Sequence, residues 1–417
     1  MAKVTPMMEQ YFEIKNRYRH CLLFFRLGDF YELFFDDAVI GSRVLGLTLT
    51  GKDWGQKERA PMCGVPFHSA DSYIDKLVQS GYKVAICEQI EDPKEAKGIV
   101  KRDVIRIVTP GTVIDNEVLD ENKNNYIMAI YGDSKGYALA VCDVTTGEFQ
   151  TAEFVSANAE EKLFDEAARF MPAELITNDY FLTTDCAEKI KKHLNLKPTS
   201  VGDSGFTYRN AAKTICRHFN IIAVDGLQEK IFAVCASGGL LDYLYDTQKN
   251  NLEHISKISI YSTNDFMLLD ANTRRNLELT ETMREKNRKG SLLWVIDKTK
   301  TAMGARLLRK WVEQPLISSA DINRRLDSVE ELKDDFFKRE ELKEVLSTMH
   351  DFERIMSRIV YKTANARELV SLKNSIENLP QLKKILEKSK SGYLKEIYSE
   401  LDTLEDIFAL IDKAIVD

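Results

Sequence analysis

No apolar run in this sequence approaches membrane-spanning length, and the N-terminus, Met1-Ala2-Lys3-Val4-Thr5-Pro6, lacks the basic-then-apolar pattern of a secretory leader. A cytosolic chain is expected. The seven cysteines (Cys21, Cys63, Cys87, Cys142, Cys186, Cys216 and Cys235) are odd in number and never form a C-x-x-C pair. That pattern argues against disulfides and zinc and for reduced, mostly buried thiols. No G-x-x-x-x-G-K-[ST] phosphate loop occurs; Gly51-Lys52-Asp53 has neither the upstream glycine nor the hydroxyl residue. ATP hydrolysis is therefore not expected, and neither is a metal or cofactor held by this chain. The formal net charge of -7 excludes a protein that coats nucleic acid indiscriminately, while leaving room for local basic surfaces.

What is present is ordinary in bulk. At 417 residues, 44% hydrophobic and 29% charged, the chain has the make-up of a soluble globular protein of two or three domains. Cys21 to Ala38 is its most informative stretch. Cys21 to Phe25 is an unbroken apolar run bounded by Gly28-Asp29, which predicts a strand buried on both faces. Read with a period of two, the following residues put Phe30, Glu32 and Phe34 on one face and Tyr31, Leu33 and Phe35 on the other. Phe30 and Glu32 would lie roughly 7 Å apart along one strand. An apolar wedge beside a hydrogen-bond acceptor suits entry into a nucleic-acid groove, where the first parts a base step and the second reads a base edge. The same residues also suit a core strand with one solvated edge glutamate.

Taken in order, Thr5-Pro6 predicts a capped helix start, with Met7, Tyr11, Ile14 and Tyr18 on one face. Asp36-Asp37 open a short helix closed near Gly46. Gly51 to Pro61 reads as a polar loop carrying Lys52, Lys57 and Arg59. Ser69 is a candidate helix cap, and His68 has no partner at metal-ligand spacing. Strands at Val84 to Cys87 and Asp103 to Val108 complete an α/β domain over 1–115. Residues 116–125 are polar and aperiodic, a linker. From 126 to 250, three strands (Tyr126 to Tyr131, Tyr137 to Val144, Glu148 to Phe154) form a meander, followed by a helix over Glu160 to Phe170. A small-residue helix around Ala233 to Leu244 leads toward the third domain, 251–417, which is helical. There Met303, Leu307, Leu308 and Trp311 make one stripe, with Arg306, Arg309 and Lys310 opposite. Ile322, Leu326, Val329, Leu332 and Phe336 make the next, and Phe352, Ile355 and Ile359 another; all three are expected to be core. Two basic clusters stand out: nine positive against two negative residues from Arg284 to Lys310, and Lys94, Lys97, Lys101, Arg102 and Arg106. Either is a solvated face unless DNA is proposed on other grounds.

Such grounds come from ordered blocks. Gly28-Asp29-Phe30-Tyr31-Glu32-Leu33-Phe34, Pro61-Met62-Cys63-Gly64-Val65-Pro66-Phe67-His68, Lys83 to Gln89 and Arg106 to Thr112 resemble the Phe-x-Glu, PMxGxPxH, VAICEQ and RVVTPGT stretches of the MutS family of bacterial DNA mismatch-repair proteins. Leu269 to Leu279 and Arg325 to Leu332 resemble that family's helical core. The resemblance implies a mismatch-recognition α/β domain, a ribonuclease-H-like connector domain and a long-helix core, or lever, domain. It implies recognition of mismatched or unpaired bases in duplex DNA, with Phe30 as the wedge and Glu32 as the hydrogen-bond acceptor. Leu27, Asp29, Lys52, Arg59, Lys101 and Arg102 are further candidate DNA contacts.

The family's clamp and ATPase lie beyond the helical core, so the chain is expected to be an N-terminal portion, working in the bacterial cytoplasm at the nucleoid. The full-length family member is a homodimer that uses ATP and Mg²⁺ and docks a MutL-type protein through its connector; no membrane is involved. Two rivals stand: a MutS-like factor for branched recombination DNA or a protein adaptor, and a metal-dependent nuclease using Asp143.

Overall fold

The computed structural model describes residues 4–91, 98–114, 119–224, 226, 229–249 and 252–415. Lys94 and Lys97 of the second basic cluster, and 116–118 of the linker, lie outside them. The first unit opens with α1 (Pro6–Arg17), β1 (Leu22–Leu27), β2 (Phe30–Phe34), α2 (Phe35–Leu45), β3 (Thr50–Lys52) and β4 (Ala60–Pro66). It closes with α3 (Ala70–Gln79), β5 (Val84–Gln89) and β6 (Arg102–Val108). The strands form one sheet in the order β3-β4-β2-β1-β5-β6. Leu22 to Phe25 are buried because β1 is central, antiparallel to β2 and parallel to β5. α1 covers one face through Met8, Tyr11 and Ile14, and α2 and α3 cover the other through Ala38, Ala70, Ile74 and Leu77.

Local expectations fail where the chain finds another partner. Neither Thr5 nor Ser69 caps its helix with a side chain. A 3₁₀ turn over Phe67–Ser69 precedes α3, and the Ser69 hydroxyl donates back to the Pro66 carbonyl instead. The supposed loop after Gly51 begins as a strand: Lys52 belongs to β3, opposite Ala60.

The second unit contains β7 (Ile127–Asp133), β8 (Gly136–Asp143), β9 (Glu148–Phe154), α4 (Ala159–Phe170), β10 (Glu174–Thr177), α5 (Asp185–Leu194), β11 (Pro198–Ser200), α6 (Tyr208–Phe219), α7 (Ile231–Gln248) and β12 (Ser259–Ile260). Its sheet order is β11-β10-β7-β8-β9-β12, an antiparallel meander flanked by parallel strands, as in ribonuclease-H-like folds. α7 is the centre of this unit's core and not a lead-in to the next; an added Cβ at Gly238 or Gly239 would come within 2.3 Å of Ala211 or 2.5 Å of Phe206. The sheet reaches past residue 250, since β12 runs parallel to β9.

The third unit is helical: α8 (Ala271–Asn276), α9 (Leu292–Ile296), α10 (Ala302–Glu313), α11 (Ser319–Asp334), α12 (Phe336–Ser347), α13 (Phe352–Val360), α14 (Ala366–Glu377), α15 (Leu379–Leu386), α16 (Gly392–Glu400) and α17 (Glu405–Ala414). Ile355 packs as its stripe predicts. The other two are not core: the α10 stripe is half-buried at Met303, Leu308 and Trp311, and the α11 stripe is mostly exposed. On α10 the buried side is Ala305 and Arg306, because Arg306 meets Asp351 and Glu353, while Leu307 is exposed. On α11 Ile322, Leu326 and Val329 are exposed and Ser328 is the buried residue, donating to Ser391.

Candidate nucleic-acid interface

Strand geometry delivers the Phe30–Glu32 pair. Leu27 and Phe30 face each other across a two-residue turn whose Gly28 has φ +58°, the left-handed region that favours glycine. Tyr31 and Leu33 turn into the core beneath α2 and α3. On the other face Phe34 packs edge-on against Tyr11. Glu32 follows, its Cγ lying 3.5 Å from where a Cβ on Gly64 would stand. Phe30, at the end of the strand, is left 47% exposed. A ring so exposed at a sheet end, with a carboxylate two residues along the same face, has the geometry of a wedge and an acceptor.

Glu32 is not bare. Lys52 Nζ donates to Glu32 Oε2 at 2.5 Å, with the two side chains 32% and 16% exposed, and the ammonium also lies 5.6 Å from the centre of the Phe34 ring. A second constellation, not legible in the sequence, sits beside Phe30. Phe30 is opposite Pro66, and the Phe67 N–H donates to the Asp29 carbonyl at 3.0 Å. This brings Phe67, 42% exposed, to the same end of the sheet, where the Arg26 guanidinium stacks 3.7 Å from its ring centre. Arg26 also donates to the Gly28 carbonyl and pairs with Glu88. Tyr31 donates to the same Glu88, and burial together with that hydrogen bond pushes its phenol above the ordinary range. The signal was available in part: strand β4 had to pair with β2 for Pro66-Phe67 to reach the turn.

The other expected contacts separate. Asp29 is exposed at the turn and Leu27 is half-buried against the core. Arg59 is exposed and paired with Asp53 at 3.3 Å. Lys101 is exposed, and no ion pair to it occurs among the described residues. Arg102 is turned inward: it donates to the Arg26 carbonyl, Gln10 and the Val100 carbonyl and lies over Phe25. Those bonds engage its Nε and Nη1. Arg106, of the same cluster, is likewise buried, donating to the Thr112 carbonyl.

Asp143 is fully buried, and its oxygens are taken by Thr145, Asn124 and Asn125. Burial pushes its carboxyl up, partly offset by those hydrogen bonds. It anchors a turn, and no group of three or more His, Cys, Asp or Glu side chains placed to hold a metal occurs among the described residues. The basic run from 284 to 310 divides: Arg288 meets Asp297, Arg306 meets Asp351 and Glu353, Arg309 meets Glu313 and Lys310 meets Glu148, while Arg284, Lys286, Lys289, Lys298 and Lys300 are exposed. Several of these residues line a cavity of about 330 Å³ between α4–α5 and α8–α10.

Residues 5–117, 125–256 and 272–417 match, in order, the family models MutS domain I, MutS domain II and MutS domain III. The chain is 52% identical over 418 residues to the DNA mismatch repair protein MutS of Ruminiclostridium cellulolyticum and, likewise, to that of Acetivibrio thermocellus. All of this chain and 48% of each relative are covered. It is 51% identical over 425 residues to the protein of the same name from Alkaliphilus oremlandii. The chain thus spans about half the length of the curated relatives it matches.

Proposed function

The chain belongs to the MutS family, and from that premise we propose that it recognises mispaired or unpaired bases in duplex DNA, with Phe30 parting a base step and Glu32 hydrogen-bonding the displaced base. The observation that carries this reading is the half-exposed Phe30 on the same strand face as Glu32, held at a sheet end by a glycine turn. Unstacking a step costs a few kcal/mol, and a mispaired step is already weakened. The minor groove discloses little base identity, so such a reader senses deformability. A carboxylate among phosphates costs affinity on intact duplex, while a mispaired base offers it a donor, and the difference favours discrimination.

Around the pair, Lys101 and Arg59, whose pair with Asp53 is solvent-exposed and weak, are cations suited to phosphate, with the Arg26–Phe67 plate beside the wedge as a stacking surface. For the whole protein, the proposal includes a homodimer working at the bacterial nucleoid, ATP and Mg²⁺ used outside these residues, and a MutL-type partner docked on the connector, the second unit.

The test is fluorescence-anisotropy binding to a duplex with one unpaired T, to its fully paired twin and to a four-way junction, at two salt concentrations. The parent chain is expected to prefer the unpaired-T duplex, and Phe30→Ala to lose that preference. Equal preference in mutant and parent would refute the wedge, and a preference for the junction would favour the branched-DNA rival.

A further inference from the structure

We infer that Lys52 is the counter-ion and positioning residue of Glu32 and not a phosphate anchor. The inference rests on the reading of Glu32 as the base-contacting acid. Lys52 stands on β3, separated from β2 by β4, yet its ammonium closes on Glu32 Oε2 at 2.5 Å. The nearby alternatives are taken: Arg59 pairs with Asp53, and Arg26 with Glu88, the Gly28 carbonyl and the Phe67 ring. Glu32 Oε1 accepts from no described residue, so one oxygen is held and the other is left for a base N–H.

Two physical consequences follow from the pairing. A bare carboxylate carried into a groove lined by phosphates is repelled; an adjacent ammonium reduces that repulsion without removing it, and a partly buried pair is less screened by salt than an exposed one. A lysine already neutralised by a carboxylate also releases no DNA counter-ion of its own, so it adds nothing to the salt dependence of binding. Lys52 therefore differs in kind from Lys101: the first tunes how Glu32 meets a base, and the second, exposed and with no ion pair among the described residues, is suited to phosphate.

A double-mutant cycle separates the roles. Lys52→Met, Glu32→Gln and the double variant are titrated with the unpaired-T and paired duplexes at several salt concentrations. With Glu32 intact, Lys52→Met is expected to weaken unpaired-T binding about five- to tenfold, less than a fully buried hydrogen bond to a charged group is worth because the pair is partly exposed. In the Glu32→Gln background the same change is expected to shift affinity less than about twofold, because a neutral amide needs no counter-ion. Lys52→Arg should restore the parent's preference.

An equal loss in both backgrounds, with the slope of log affinity against log salt reduced by about 0.9 in each, would make Lys52 a phosphate contact and overturn the inference. In the DNA-free chain the same cycle is read from urea midpoints: non-additive shifts are expected, and additive ones overturn the pair. Phe30→Ala, measured alongside, decides the mismatch-reading itself, so failure of that reading and failure of the Lys52 role give different results.

Discussion

Gly28 shows how much of the candidate site depends on one backbone angle. Its φ of +58° costs an L-residue with a branched side chain on the order of 1–2 kcal/mol, and no atom lies within 4 Å of an added Cβ, so the cost is conformational and not steric. Gly28→Val is expected to lower the urea midpoint accordingly, while Gly28→Asn, which visits the left-handed region easily, retains most of the stability. Equal midpoints for the two variants would contradict this account. The same scale shows what the sequence could disclose. The Phe30–Glu32 face was legible because a strand alternates with a period of two and the Gly28-Asp29 turn marks its start. The Lys52 partnership was not, because twenty residues and two strand pairings separate it from Glu32. The inward bonds of Arg102 were hidden for the same reason: two of its acceptors lie on α1 and β1, far away in the chain.

Elements were legible where burial follows hydrophobic period and illegible where charge is buried. The strands of both sheets fall close to their apolar runs because a central strand needs apolar side chains on both faces. On α10 the stripe is only half-buried and on α11 it is mostly exposed, since an arginine or serine supplied with internal partners can take the inner face. Glu331 on α11 is a further case. Although it looks like a solvated helix charge, it accepts from the backbone N–H groups of Lys390 and Ser391 and from Lys338 Nζ, so it caps α16, whose own Ser391 side chain does not. Burial pushes its carboxyl up, but Lys338 and those two N–H groups outweigh it and hold it down at about 2, against an ordinary 4.5. A depressed carboxyl contributes stability that is complete above about 4.5 and is lost as pH falls toward about 2. Glu331→Gln is expected to cost roughly 1.5–3 kcal/mol at neutral pH and to flatten the decline of stability over that acid window. Urea midpoints measured across the window check it; an unchanged acid decline would refute the capping role.

The three units are joined at a point that the sequence presents only as polar and aperiodic. Such a stretch is ordinarily read as slack, yet its carbonyls become acceptors for the third unit. Arg354, 1% exposed, donates to the Asp120 and Lys123 carbonyls at 2.9 and 3.0 Å, and Arg306 donates to the Glu121 carbonyl at 2.9 Å while its other bonds reach Asp351 and Glu353. The next two residues bind backward: Asn125 donates to the Pro110 carbonyl in the first unit, and Asn124 and Asn125 to Asp143 in the second. Residues 119–125 are thus a clasp bonded to all three units. Arg354→Met removes a buried cation and orphans two carbonyls, while Asp351 keeps Arg306. The loss should therefore be roughly 2–4 kcal/mol, concentrated at the clasp before it spreads. Hydrogen exchange should show the Asn125 amide, bonded to Asp143, opening faster in the variant, while amides of β7 and β8 keep their protection. An Asn125 amide as protected as in the parent would mean that the units are held together elsewhere, for example by Lys83 and Tyr243 on Glu174, and that the clasp carries no coupling.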